Sequence, residues 1–230
     1  MNRRRQLLQQ LAAAGLLSAG GAMGFLQRAL AAGNNPVLPG LHKLTGQVSV
    51  NGQPARQGQL IRPGDTVVTG KEGEALYVIG QDAFLQRSGS TVSFGKSMAD
   101  FMRVLNGRIL SVFGKADREI AFSTATIGIR GTACYIEEKV GADGTALDKA
   151  PTYFCLCYGT AEVTPSATGT KATTITTRYH DLPLYISGDK SKTSSLQPAP
   201  VINHTDAELI LLENLVGRWP PFYGQTDLRY

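Results

Sequence analysis

The chain has 230 residues, 42% of them hydrophobic and 18% charged, which suits one domain with an extension and a real core. Its formal net charge of +5 is concentrated at one end: Arg3, Arg4, Arg5 and Arg28 lie in the first 32 residues beside no acid, and removing them from the 23 basic residues leaves 19 against 18 acidic ones. A near-neutral remainder offers no basic stripe to track a phosphate backbone, so nucleic-acid binding is excluded.

The first 32 residues have the three-part build of a secretory signal: a basic start, an apolar stretch over residues 11–26, and small residues at Ala29, Ala31 and Ala32 before a cleavage point. The apolar stretch falls short of the roughly 20 residues that span a bilayer and is diluted by Gly15, Gly20, Gly21 and Gly24. Arg4-Arg5 followed by Gln6, Leu7 and Leu8 resembles a twin-arginine export motif, without the usual Ser or Thr before the pair. The expectation is export from a bacterial cytoplasm to the periplasm or beyond, with no transmembrane segment in the finished protein. No cysteine lies near the cleavage point, so no lipid anchor is expected.

Residues 33–43 read as an extended linker. A series of short β-branched runs then begins. Residues 44–50 lead into Asn51-Gly52, a hairpin signal because both residues accept positive φ. Residues 60–61 precede Pro63-Gly64-Asp65, a turn with Pro and Gly in their preferred places. Runs at 66–69, 75–79, 83–85 and 91–94 keep the close spacing of an all-β domain. Runs at 101–105 and 108–113 flank Asn106-Gly107, which reads as a second hairpin. Runs at 120–122, 126–129, 133–137, 152–158 and 162–164 complete the series. The fold class is therefore mainly β: a compact roll or barrel-like sheet of short antiparallel strands over residues 44–164.

Residues 165–230 form a C-terminal extension. It opens with a Thr-, Ser- and Lys-rich stretch holding possible strands at 174–179 and 184–187, and residues 190–200 read as a loop. One amphipathic helix is predicted over about residues 205–217. Thr205 and Glu208 form a capping box, Leu209, Leu212 and Val216 share a face, and Gly217 with Pro220-Pro221 stops it. Trp219 and Phe222 are the expected anchors of this segment on the β body.

Several segments carry a family resemblance. Gly58-Gln59-Leu60 with Pro63-Gly64-Asp65-Thr66-Val67-Val68-Thr69 resembles the opening of the FecR domain. Leu105-Asn106-Gly107-Arg108-Ile109 resembles that family's L-x-x-G segment. Thr126-Ile127-Gly128-Ile129-Arg130-Gly131-Thr132 is similar to its A-x-V-G-V-R-G-T signature. The resemblance implies an all-β domain of the periplasm or cell surface. In its best-known arrangement such a domain relays the state of an outer-membrane siderophore receptor to a sigma factor, through a transmembrane helix and a cytoplasmic segment. Neither part is recognised here. What carries over is a non-catalytic interaction or sensing surface for an envelope protein or other periplasmic ligand.

Read from the residues alone, Gly128 and Gly131 suggest a bulge or close backbone approach. Arg130, with Thr132 beyond it, serves either to lock the sheet onto a buried carboxylate or to contact a ligand.

Three cysteines carry the remaining chemistry. Cys155 and Cys157 share one face of a strand by its period of two. Cys134 with Cys155 or Cys157 makes a possible cross-strand disulfide. The sharper alternative is a metal or thiol-redox site that uses Cys155, Cys157 and His180, suited to zinc, copper or iron, with Asp181 orienting the imidazole. His42 and His204 are the other histidines. With no nucleophile elbow, phosphate loop or zincin motif, no enzyme activity is expected.

Overall fold

A computed structural model describes residues 36–97, 100–139, 150–167, 172–191, 194–224 and 230. The signal expected over 1–32, and most of the polar loop between 139 and 151, lie outside the described residues. Among the described residues no helix is long and apolar enough to cross a membrane.

The body is mainly β. In chain order its strands are β1 (Gly40–Thr45), β2 (Val48–Val50), β3 (Gln53–Pro54), β4 (Thr66–Thr69), β5 (Glu74–Ile79), β6 (Asp82–Gln86), β7 (Thr91–Ser97), β8 (Asp100–Val112), β9 (Asp117–Phe122), β10 (Ala125–Arg130), β11 (Ala133–Glu138), β12 (Thr152–Pro165), β13 (Thr173–Thr177), β14 (Leu184–Ile186) and β15 (Leu196–Pro198). Among the described residues one helix, α1 (Asp206–Leu215), follows. The β series thus starts at Gly40, inside the stretch that reads as a linker. Residues 60–61 join no strand, and β15 forms where composition predicts a loop.

Five strands close on themselves: β8 pairs with β9, β9 with β10, β10 with β12, β12 with β11, and β11 with β8. Four of these pairings are antiparallel, and β8–β9 is parallel, Met102 opposite Ile120. The remaining strands extend this ring into two flanking sheets.

Both sheets share β8 and β12, which are long and bend between them. Asn106-Gly107 is therefore no hairpin but the bend of β8. Gly107 has φ 95°, and a Cβ there would sit 2.4 Å from Ser90 Cα, so no side chain fits. Gly159 repeats the device in β12: φ is 99°, and a Cβ would lie 2.6 Å from Thr132 Cγ2. Asn51-Gly52 does make its two-residue hairpin between β2 and β3, with φ 52° and 77°.

Alternation along β12 separates two cores. Phe154 and Leu156 point into the barrel with Met102, Ile109 and Ile136. Cys155 and Cys157 point outward into a second core, where Leu76, Leu85 and Leu110 of the sheet meet Leu209 and Leu212 of α1.

The capping box holds as expected: Glu208 N donates to Thr205 Oγ1 at 3.3 Å, and Thr205 N donates to Glu208 Oε2 at 3.0 Å. Every residue of α1 is buried, however, polar ones included. Glu208 meets Arg87 at 2.5 Å, and Glu213 meets Arg218 at 2.6 Å and the hydroxyl of Tyr158. Phe222 is a buried anchor, whereas Trp219 is 38% exposed and stacks on Tyr223.

Candidate metal centre

Three separate segments supply the site. β12 brings Cys155 and Cys157 to the same face, both fully buried. The turn after β13 brings His180, and the turn before α1 brings His204. One ligand atom from each of these four residues lies within 4.8 Å of all the others. His180 Nδ1 is 3.4 Å from Cys155 Sγ and 3.1 Å from His204 Nε2. A tetrahedral zinc ion with bonds of about 2.0–2.3 Å has ligand separations of about 3.3–3.8 Å, so the Cys155–His180 edge fits as it stands, the imidazole edge is slightly short, and separations of up to 4.8 Å would have to close on the ion.

The outer nitrogens of both imidazoles are held. His204 Nδ1 lies 2.6 Å from the Ile202 carbonyl and donates to it, which leaves Nε2 to face inward as a lone pair. His180 Nε2 lies 3.3 Å from Asp206 Oδ1. Asp206 is in turn fixed by the Tyr179 hydroxyl, which donates to Oδ2 at 2.5 Å, and by Tyr230 N at 3.3 Å. Carboxylate–imidazole and carbonyl–imidazole pairs of this kind aim a ligand and raise its basicity. Tyr135 stacks on His204 at 4.7 Å and closes the side toward β11.

Both turns hold unusual backbone. His180 has φ 53° and Asn203, just before His204, has φ 58°. Left-handed non-glycine residues concentrate where a side chain must be aimed. The His180 amide is tied to the Cys157 carbonyl at 2.9 Å, and Asn203 Nδ2 donates to Glu137 Oε1 at 2.6 Å.

The electrostatics follow from this packing. The adjacent Cys157 thiol favours the Cys155 thiolate; against the cost of burial, His180 and His204 add to that preference, so Cys155 is held well below the ordinary thiol range. Burial and the Cys155 charge push Cys157 up. Burial pulls His180 down, but hydrogen bonds with Asp206 and Cys155 outweigh it and raise the imidazole to about 9. Without a metal, the cluster is therefore a thiolate beside an imidazolium, with Cys157 protonated.

The structure brings together Cys155, Cys157 and His180, the set singled out in the sequence, and adds His204. Two details differ. Asp206, not Asp181, orients His180; the Asp181 carboxylate instead accepts from the amides of Arg178 and Tyr179 at 2.7 and 3.3 Å. Cys134 stands apart: β11 and β12 do pair, but Cys134 is opposite Leu156, so its side chain points into the barrel core. All three cysteines are free thiols.

The Gly128–Thr132 segment forms no buried lock. β10 pairs regularly on both sides, and a Cβ at Gly128 would meet only Glu162 Cβ at 3.8 Å. Gly131 makes the turn to β11 at φ 60°. Alternation sends Arg130 outward, 71% exposed, 3.6 Å from Asp117 and 3.2 Å from the Lys115 carbonyl; Thr132 is buried. Arg118 is the arginine that locks the sheet. It pairs with buried Asp82 at 2.8 Å, donates to the carbonyls of Gly114 and Ala116, and covers the Phe101 ring.

No family model and no curated protein matches the chain. Two solved structures of a candidate anti-sigma factor from Parabacteroides distasonis are similar at TM-score 0.45 and 6% identity, over 58% of this chain and 58% of that one. A likeness this slight carries no argument. The FecR resemblance rests on residues 58–69, 105–109 and 126–132 of the sequence.

Proposed function

We propose that the chain is an exported, non-catalytic β module of the bacterial envelope that holds one zinc ion in a closed Cys2His2 centre. One observation carries the reading: the ligand atoms of Cys155, Cys157, His180 and His204 converge within 4.8 Å inside the protein. Four protein ligands complete a tetrahedron and leave no open position, the pattern of a structural rather than a catalytic zinc site. Charge supports zinc among the candidate metals. A divalent ion with two thiolates and two neutral imidazoles is neutral, and a neutral assembly is the least costly to bury. Copper(I) would leave a net negative cluster, and a tetrahedral S2N2 set is more typical of zinc than of mononuclear iron.

Cys155, His180 and Asp206 also have the connectivity of a nucleophile, a base and an orienting acid. Cys155 has no exposed surface, and His204 packs against the same nitrogen of His180 that faces the sulfur. These features favour a metal over acyl transfer.

The interaction role rests on the export signal and the FecR resemblance. Turns held against the β body by zinc suit a surface that must keep its shape outside the cytoplasm, in contact with an envelope protein.

Elemental analysis of the exported, processed protein tests the metal reading. One zinc per chain is expected, and it should be lost in a Cys155→Ser/Cys157→Ser double variant. A chain purified without any stoichiometric metal, and unable to take up zinc after reduction, overturns it.

A further inference from the structure

We infer that metal occupancy at this centre sets the order of two turns, residues 178–183 and 199–205, on a body that stays folded without the metal. The inference rests on the metal reading above and names what the metal regulates.

The ligands divide between a rigid part and two turns. Cys155 and Cys157 lie on β12, which is paired on both sides through β11, β10, β13 and β14. His180 and His204 lie on turns whose backbones adopt left-handed conformations at His180 and Asn203. Such conformations persist only when surroundings over-determine them. Of the four positive-φ non-glycine residues among those described, Asn51 belongs to a hairpin and Lys139 follows β11; the other two belong to this centre.

The two turns are tied to each other. Ala199 N donates to the Pro183 carbonyl at 2.9 Å, and the two imidazoles meet at 3.1 Å. Their ties to β12 are the His180 amide on the Cys157 carbonyl, the Tyr153 hydroxyl, which donates to the Pro200 carbonyl at 2.9 Å and accepts from Ile202 N at 3.2 Å, and long contacts to sulfur. A thiol is a weak hydrogen-bond partner. A zinc ion would replace the sulfur and imidazole contacts with four coordinate bonds that join both turns to β12.

The hold of α1 on the sheet takes another route. Leu209, Ile210, Leu212 and Leu215 are buried against the sheet, Arg87 links Glu208 to Glu74, and Arg218 links Glu213 to the Gln81 carbonyl. None of these contacts passes through a ligand. The barrel interior is likewise a separate core on the far side of β12. Metal loss therefore loosens the turns first and leaves helix and barrel in place.

Hydrogen exchange on the full chain tests this, with one equivalent of zinc and after chelation, with bound zinc measured in each sample. Amides in 178–183 and 199–205 should exchange at least roughly tenfold faster without zinc, while those of β8 and β10 keep their rates. If zinc is bound stoichiometrically and the turns exchange at the same rate with and without it, the inference fails and the metal reading stands. If chelation speeds β8 and β10 by the same factor as the turns, the metal is needed by the whole fold and the inference also fails. If no zinc binds, both fail.

Discussion

Asp206 Oδ1 lies 3.3 Å from His180 Nε2, a buried charge contact on the side of the ring away from the Nδ1 that faces Cys155. The carboxylate stands at the first position of α1, where its charge also suits the helix N-terminus. Asp206→Asn keeps the shape and removes the charge. Zinc affinity should fall by about 10–100-fold, the usual effect of removing such an orienting partner. Asp181→Asn should leave affinity unchanged, because that carboxylate caps its own turn. Competition against a chromophoric chelator measures both.

Zinc uptake should release protons. The raised His180 carries a proton on the nitrogen that faces the site until about pH 9, and Cys157 is held protonated by burial. Cys155 is already a thiolate. About two protons should therefore leave per zinc near pH 7.5, and apparent affinity should rise by about a hundredfold per pH unit there. Calorimetry in buffers of different ionisation enthalpy counts the protons, and a count below one contradicts the assignment.

In the metal-free protein the same shifts set opposite pH dependences. His180 contributes stability in full below its unfolded value of about 6.5 and loses it as pH rises through about 9. Cys155, held low, contributes above the ordinary thiol range near 8.5 and loses its share as pH falls toward acid. Between about pH 6.5 and 8.5 these two slopes oppose each other and the chelated parent should be nearly flat, so a His180→Gln variant, left with the Cys155 slope, should gain stability as pH rises there. Denaturant melts of both chains across that window check it.

The bends of the two long strands should tolerate no side chain. At Gly107 a Cβ would lie 2.2 Å from Ser90 Oγ, and at Gly159 2.6 Å from Thr132 Cγ2, both at positive φ. Gly107→Ala and Gly159→Ala should each cost at least about 2 kcal/mol. Gly128→Ala, with its nearest neighbour at 3.8 Å, should change stability by no more than about 0.5 kcal/mol. Chemical denaturation separates the two classes.

Arg118→Leu leaves buried Asp82 without its partner and should cost about 3–5 kcal/mol. Arg130→Ala, on an exposed pair 3.6 Å from Asp117, should cost no more than about 0.5 kcal/mol. Adding Asp82→Asn to Arg118→Leu should recover part of the loss in the same melts, because the unpaired charge is then gone.

The strand series, the Asn51-Gly52 hairpin and the capped helix were legible because each depends on neighbours in sequence. The same holds for the shared face of Cys155 and Cys157, which needs only a period of two. Asn106-Gly107 misled for a physical reason. Positive φ at a glycine serves a hairpin or a sharp bend equally well, and only the close approach of Ser90 decides between them. The roles of Arg118 and Arg130 were likewise set by which side of a strand faces the core.

His204 was hidden because nothing local marks it as a ligand. It is 24 residues from His180, and a left-handed Asn203 aims it at a strand far behind in sequence. Its place just before the Thr205 cap was the one available hint: the start of a buried helix fixes the direction of the residue before it. The polar residues of α1 gave the opposite false signal. They suggested a solvent face, but each is buried beside a partner: Tyr179 for Asp206, Arg87 for Glu208, Arg218 for Glu213 and the Ile210 carbonyl for Asn214.

X-ray absorption at the zinc edge, on protein reconstituted with one equivalent of the metal, tests the Cys2His2 centre most directly. The centre predicts two sulfur neighbours near about 2.3 Å and two imidazole nitrogens at about 2.0–2.1 Å, with one sulfur lost in Cys157→Ser. A shell of oxygen and nitrogen alone, unchanged by that substitution, would contradict it.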